Sequence, residues 1–171
     1  MLSVAHIIFC ITSFILGAFV FLNVKGTRQH RWIGTLYCVS MLGLNLAAFG
    51  IYNLTGHFNF FHITAILSLA MVLTGWSQVL FRRHLRNWLY RHYVYMCWSY
   101  VALVAAALNE GFVRLTPLKS LTNHTGKWII IAFQAVLLGA AALLINRKKP
   151  QLLARYSYAN PSTSSAPLAT S

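Results

Sequence analysis

Long apolar stretches, separated by short polar ones, make up most of the sequence. Spanning a lipid bilayer takes about 20 apolar residues, and five stretches reach that length, at about 3–24, 32–54, 58–81, 91–113 and 128–146. Backbone groups in lipid must be hydrogen-bonded within their own segment, so each stretch is predicted to be a helix. The pattern therefore predicts an all-α, polytopic membrane protein with a bundle of five transmembrane helices over residues 1–149.

The composition supports lipid as the solvent. The 171 residues are 58% hydrophobic and 9% charged, whereas soluble domains carry about 25% charged residues. The first apolar stretch could be a secretory signal, but Met1 to Ile7 contains no Lys or Arg and no small-residue cleavage site precedes Lys25. We therefore expect a retained first helix.

The distribution of cations predicts the orientation. With five spans, Arg114, Lys119 and Lys127 fall on one side and the other eleven of the 14 Lys and Arg residues fall on the opposite side. Loops rich in Lys and Arg stay in the cytoplasm. The N-terminus is therefore predicted outside and the C-terminus inside. Residues 150–171 are rich in small and polar residues with prolines, and are predicted to form a disordered cytoplasmic tail.

The net charge of +13 does not indicate nucleic-acid binding. The cations stand in short clusters between apolar runs, which is typical of membrane-flanking loops. Besides the lipid bilayer itself, we expect contacts with anionic lipids at Arg82, Arg83, Arg86 and Arg91, and membrane protein partners are compatible with the sequence.

Histidines supply the candidate chemistry. His6 and His62 each lie about one turn inside a predicted helix at the outer side, flanked by apolar residues. Facing each other, they could bind the iron of haem b axially or give two nitrogens to a divalent metal. His30 and His92 form a second pair at matching depth on the inner side. Two stacked pairs on a helical bundle are what a transmembrane electron carrier would need.

An alternative without a cofactor is equally compatible with these positions. Histidine is common at a membrane interface, where the polar edge of its ring stays in contact with water. In addition, haem ligands usually lie deeper than one turn from the surface. In that case the protein is a non-catalytic membrane subunit or a lipid-interacting scaffold. His57 and His124 are expected to be loop residues in either case.

Glu110 is the sole carboxylate of the chain. Its i,i+4 spacing to Arg114 indicates a local ion pair. Its depth inside a predicted helix indicates instead a third metal ligand, with His6 and His62, or a proton acceptor. The sequence leaves both interpretations open. No second carboxylate is present for paired acid–base hydrolysis, and whether the protein is an enzyme stays open.

Two segments of the chain, 25–70 and 87–115, resemble a known family. The shared residues are His6, Gly26-Thr27, His30-Arg31, Gly34, Phe61-His62, Trp88, His92, Met96, Ser99-Tyr100, Glu110 and Arg114. The chain resembles bacterial integral membrane proteins grouped as domain of unknown function 2306, over roughly residues 5–145. The resemblance implies a multi-pass protein of the bacterial cytoplasmic (inner) membrane, and it implies no activity.

Overall fold

A computed structural model describes residues 2–50, 60–81, 87–115 and 124–159. In these residues the regular structure is five α-helices: α1 (Leu2–Leu22), α2 (Arg28–Phe49), α3 (Phe60–Leu80), α4 (Trp88–Leu115) and α5 (His124–Ala159). The all-helical class is confirmed. Each predicted segment coincides with one helix, and the ends differ by a few residues except at the end of α5.

Four of the helices in the described part of the chain are long and apolar enough to cross a membrane. They contain the candidate spans Ser3–Leu22, Arg28–Phe49, His62–Leu80 and Ile131–Lys148. Helix α4, which carries the polar residues Arg91, Ser99 and Glu110, is not among them. Crossing by all five helices, and the orientation, stay predictions.

Helix α5 continues further than the sequence predicted. It runs through Pro150 to Ala159, so residues 150–159 are helical where a disordered tail was expected. Proline lacks one N–H and disturbs the turn before it, but the stretch after it is rich in Leu, Ala and Arg, which favour a helix once it has started. Residues 160–171 of the predicted tail lie outside the described residues.

Helices α1 to α4 form a closed ring. Helix α1 packs against α2, α2 against α3, α3 against α4, and α4 returns to α1. Helix α5 lies outside this ring and packs against α4. Helices α2 and α4 therefore face each other across the bundle, as do α1 and α3.

Neighbouring helices of the ring run antiparallel. The contacts Tyr37–Ser99 and His30–His92 show that α2 and α4 run in the same direction. We call the end of the bundle where α2 and α4 begin the cationic end, because Lys25, Arg28, Arg31 and Arg91 lie there, and we call the other end the Glu110 end.

The turn from α1 to α2 is closed by side chains. Lys25 Nζ donates hydrogen bonds to the carbonyls of Val20, Phe21 and Asn23, at 2.7, 2.6 and 3.2 Å. These are carbonyls that the end of a helix leaves without partners, and a cation there also opposes the helix dipole. Gly26 adopts φ 82°, which glycine tolerates best. Thr27 is the N-cap of α2 and accepts from the His30 N–H at 3.1 Å, so this turn fixes where His30 lies.

Buried hydroxyl groups link the helices in the middle of the bundle. Ser13 donates to Ser40 at 2.8 Å between α1 and α2. Tyr37 OH lies 3.0 Å from Ser99 Oγ, across the bundle from α2 to α4. Since Ser99 Oγ already donates to the Met96 carbonyl, the Tyr37 hydroxyl is the donor in this bond. Such bonds between membrane helices contribute about 0.6 kcal/mol each on average.

Candidate functional site

All four predicted ligand histidines lie on the faces that form the core. His30 and His92 stand seven residues before Tyr37 and Ser99, which are 2% and 0% exposed. His6 stands seven residues before the fully buried Ser13, and His62 is itself 2% exposed. Seven residues are close to two helical turns, so each histidine shares a face with buried residues. If the histidines only lay at the membrane interface, their imidazole rings would be exposed to water. The burial of His62 does not match that alternative.

The Tyr37–Ser99 hydrogen bond fixes the register of α2 against α4. Seven residues towards the cationic end lead to His30 on one helix and to His92 on the other. The two rings therefore lie at the same depth on facing helices, and they are within electrostatic range of each other. The sequence predicted this matching depth, and the structure brings these two histidines together.

The hydrogen bond of His92 defines its tautomer. Its Nδ1 lies 2.8 Å from the Gly75 carbonyl oxygen of α3. A carbonyl only accepts, so the neutral ring carries its proton on Nδ1 and the lone pair on Nε2. Histidines that bind metals commonly donate their other ring N–H to a backbone carbonyl, which holds the ring in place and makes the free nitrogen a better ligand.

Close approach of α3 to α4 makes this bond available. A Cβ on Gly75 would lie 2.8 Å from Met96 Sδ and 3.2 Å from Tyr95 Cβ. Only glycine lets the α3 backbone come this near to the first turns of α4. Gly75 is therefore a positioning residue for the His92 ring.

His30 offers a nitrogen with no hydrogen-bond partner. Its ring lies beside the Val20 carbonyl and within electrostatic range of Lys25. Its Nδ1 is buried and makes no hydrogen bond to any residue that the structure describes. Buried polar atoms in native proteins are nearly always paired, so this nitrogen favours a bound group near the ring.

Open space lies next to His30 on the same face of α2. Gly34 is one turn after His30, and the face continues through the buried Tyr37 and Met41. No described atom lies within 4 Å of the position that a Gly34 Cβ would take. The described residues therefore leave space beside α2 one turn after His30.

At the Glu110 end, the relative positions of the predicted ligands His6, His62 and Glu110 are known only by helix and burial. His6 is half-buried on α1, and His62 is buried on α3, the helix across the bundle. Glu110 is exposed on α4 and lies within electrostatic range of Cys10, one turn after His6. The described residues contain no group of three or more His, Cys, Asp or Glu side chains arranged to hold a metal ion. The metal site of His6, His62 and Glu110 stays a prediction, and so does haem ligation by the two histidines.

Of the remaining predicted positions, some are described by the structure and others lie outside the described residues. Arg91 is exposed in the first turn of α4, which fits a contact with lipid headgroups. Arg82, Arg83, Arg86 and His57 lie outside the described residues. His124 begins α5, and the side chain of Arg114 lies outside the described part, so the predicted ion pair with Glu110 stays a prediction.

Sequence reasoning missed the residues that position the histidines. In the sequence, Gly75 is only one of 10 glycines and Lys25 one of 14 cations. The sequence does carry a signal for α2, since His30, Gly34, Tyr37 and Met41 follow one helical face. It carries none for the contact between Gly75 and His92, which depends on how α3 and α4 pack.

Comparison with known proteins identifies a family and no activity. The model of a family described as predicted membrane proteins, DUF2306, matches residues 3–146. Comparisons with curated proteins and with solved structures gave no match. The matched range includes all four histidines and the whole ring of helices.

Proposed function

We propose a redox function for this chain, which belongs to the DUF2306 family of predicted membrane proteins. In this proposal the protein binds haem b between His30 and His92, at the cationic end of the bundle, as a membrane electron-transfer component. The observation that carries the proposal is the hydrogen bond from His92 Nδ1 to the Gly75 carbonyl. It leaves the Nε2 lone pair for a ligand, at the same depth as His30, whose Nδ1 is buried and makes no hydrogen bond to a described residue.

The residues around the pair fit such a group. Haem iron held by two neutral imidazoles exchanges single electrons, with a potential set by the ligands and their hydrogen bonds. The Gly75 carbonyl raises the basicity of the His92 ring, and the space beside Gly34 gives room for a flat macrocycle. Arg28 and Arg31 flank His30 and are exposed, so they are placed to pair with carboxylate groups of the cofactor.

The cationic end is favoured over the Glu110 end for a physical reason. A bond across the bundle fixes His30 and His92 at equal depth, and the exposed Arg28 and Arg31 stand beside His30, where they can pair with carboxylate groups of the cofactor. Binding at His6 and His62 is proposed as a second site, which would place one cofactor near each membrane face. Electron passage between the two faces depends on that second site.

A visible absorption spectrum tests the proposal. The full chain, purified in detergent, is expected to show a b-type band in the dithionite-reduced minus oxidised spectrum, with haem near one per chain or two if both sites fill. His30→Ala and His92→Ala should each remove the band of the cationic site. His124→Ala, at the start of α5, is the matched control and should leave the spectrum unchanged.

The same experiment separates the alternatives. If only His6→Ala and His62→Ala remove the band, the cofactor lies at the Glu110 end and the assignment to His30 and His92 is wrong. A divalent metal in stoichiometric amount without a visible band would favour the metal alternative. A colourless, metal-free protein, even after expression with added haem precursor, would favour the non-catalytic membrane subunit or scaffold.

A further inference from the structure

Two lysines lie at the cationic end, where the Tyr93 hydroxyl of α4 donates to the Ile145 carbonyl of α5 at 3.2 Å. Lys25 in the turn and Lys148 near the end of the α5 span lie within electrostatic range of each other. Both are also within range of Cys97 on α4. Partial burial lowers the pKa of Lys25 below its ordinary value of 10.5, and the charge of Lys148 lowers it further. The fold therefore holds two like charges close together, which costs free energy without an anion nearby.

The chain has no carboxylate to balance these charges. Its single acidic residue is Glu110, which lies thirteen residues beyond Cys97 on the same helix. At a rise of 1.5 Å per residue this is a distance of about 20 Å. The screening length at physiological salt is about 8 Å, so Glu110 contributes almost nothing at this end. The three carbonyls on Lys25 offset part of its charge, and the exposed Lys148 is available to an anion from another molecule.

The surroundings of the lysines indicate the kind of anion. Leu22 and Val24, next to Lys25 in sequence, are 83% and 75% exposed. Leu144, one turn before Lys148 and on the same side of α5, is 57% exposed. Cations with exposed apolar side chains directly beside them match a molecule that has an anionic head and an apolar tail. Free phosphate would gain nothing from the apolar neighbours.

The two lysines differ in whether they can donate a hydrogen bond to an anion. Lys25 Nζ donates to three backbone carbonyls, so it offers its charge and no further hydrogen. Lys148 is exposed and can donate directly to a phosphate oxygen. Arg147 beside it is also exposed and adds a third positive charge at the same level.

We infer that Lys25, Arg147 and Lys148 form a binding site for the headgroup phosphate of an anionic phospholipid, with its acyl chains along Leu22 and Leu144. A lipid bound there joins α5 to the ring of α1 to α4 through a shared anion, in addition to the direct contact of α5 with α4. None of its residues is a candidate ligand, and the variants that test it change Lys148, which does not contact either histidine pair in the described interactions.

Native mass spectrometry of the full chain tests the site. Bound phosphatidylglycerol and phosphatidylcholine are counted as each lipid is titrated into the detergent-solubilised protein. A cation near an anionic lipid contributes about 1 kcal/mol, so phosphatidylglycerol is expected to bind at least about fivefold more tightly than phosphatidylcholine. K148Q should lower the affinity for phosphatidylglycerol about fivefold, and K148E should remove the preference for it.

Controls keep the result specific to this end of the molecule. K127Q removes one charge at the other end of the same helix and should leave the affinity unchanged. Unaltered helicity and elution of the Lys148 variants confirm that they fold. Equal binding of both lipids, an equal loss in K127Q, or no loss in K148Q would each overturn the site. Displacement of phosphatidylglycerol by millimolar inorganic phosphate would assign the site to a free anion and overturn the lipid assignment.

Discussion

Tyr37 connects the two halves of the bundle through a single buried hydroxyl group. Its aromatic side chain is buried among core residues of helices α1 to α4. Its hydroxyl group donates to Ser99 across the bundle. The same bond sets the depth of His30 relative to His92. The residue is therefore important for helix packing and, in the proposed function, for the geometry of the ligand pair.

We predict that Tyr37 and Ser99 are energetically coupled. Tyr37→Phe removes the donor, and Ser99→Ala leaves the tyrosine hydroxyl buried without its acceptor. A double-mutant cycle on the free energy of unfolding, measured by denaturant titration in mixed micelles, should give a coupling of about 0.6 kcal/mol and at most about 1.7 kcal/mol. Ser77→Ala, which removes a hydroxyl bonded within its own helix, should show no coupling to Tyr37→Phe. Purely additive effects of Tyr37→Phe and Ser99→Ala would contradict the bond.

At the scale of the helices, small residues decide how closely neighbours approach. Gly75 brings α3 against Met96 and Tyr95 of α4, and Gly43 brings α2 against Phe9 of α1. Gly139 of α5, by contrast, has no described atom within 4 Å of a Cβ position. Glycines that look alike in the sequence thus have opposite roles in the structure.

We predict opposite effects for Gly75→Ala and Gly139→Ala. The added methyl group at position 75 overlaps Met96 Sδ, and overpacking of this kind costs about 1–3 kcal/mol. It also moves the carbonyl away from His92, so haem content should fall in the proposed function. Gly139→Ala should be neutral or stabilise the helix by up to about 1 kcal/mol. Thermal unfolding of both variants in the same detergent checks the difference, and equal midpoints would mean that Gly75 is not at a close contact.

At the scale of the whole molecule, the packing of the helices bears on the number of spans. Helix α4 is not among the four helices of the described part that are long and apolar enough to cross a membrane. It nevertheless packs beside α1 and α3 in the ring. The polar residues Ser99 and His92 of α4 bond within the bundle, as a membrane-spanning helix would require.

We therefore predict five spans with the two chain ends on opposite sides. A reporter active only in the cytoplasm should be active when fused after Ser171, and one active only outside should be active before Met1. The reason is the concentration of cations at the cationic end, which favours the cytoplasm. Both ends on the same side would instead indicate four spans and exclude α4 as a crossing helix.

The helical class and the segments could be predicted because they depend on local composition. Apolar runs of about 20 residues leave helices as the only structure that satisfies the backbone in lipid. The matching depth of His30 and His92 was also predicted, since each stands near the start of its segment at the cationic end; their role as a ligand pair stays a prediction. The end of α5 lies beyond the predicted one, at Ala159, because a proline in the sequence does not by itself end a helix that continues in Leu and Ala.

The sequence by itself determined that lipid is the solvent, that the chain is helical, and that the cations collect at one end, because each of these follows from which residues are neighbours along the chain. Tertiary structure alone decided that Gly75 orients His92, that Tyr37 sets the register of α2 and α4, and that Lys25 lies near Lys148. These contacts join residues that are 17, 62 and more than 100 positions apart. Helix packing brings them together, and packing depends on all the side chains of both surfaces at once.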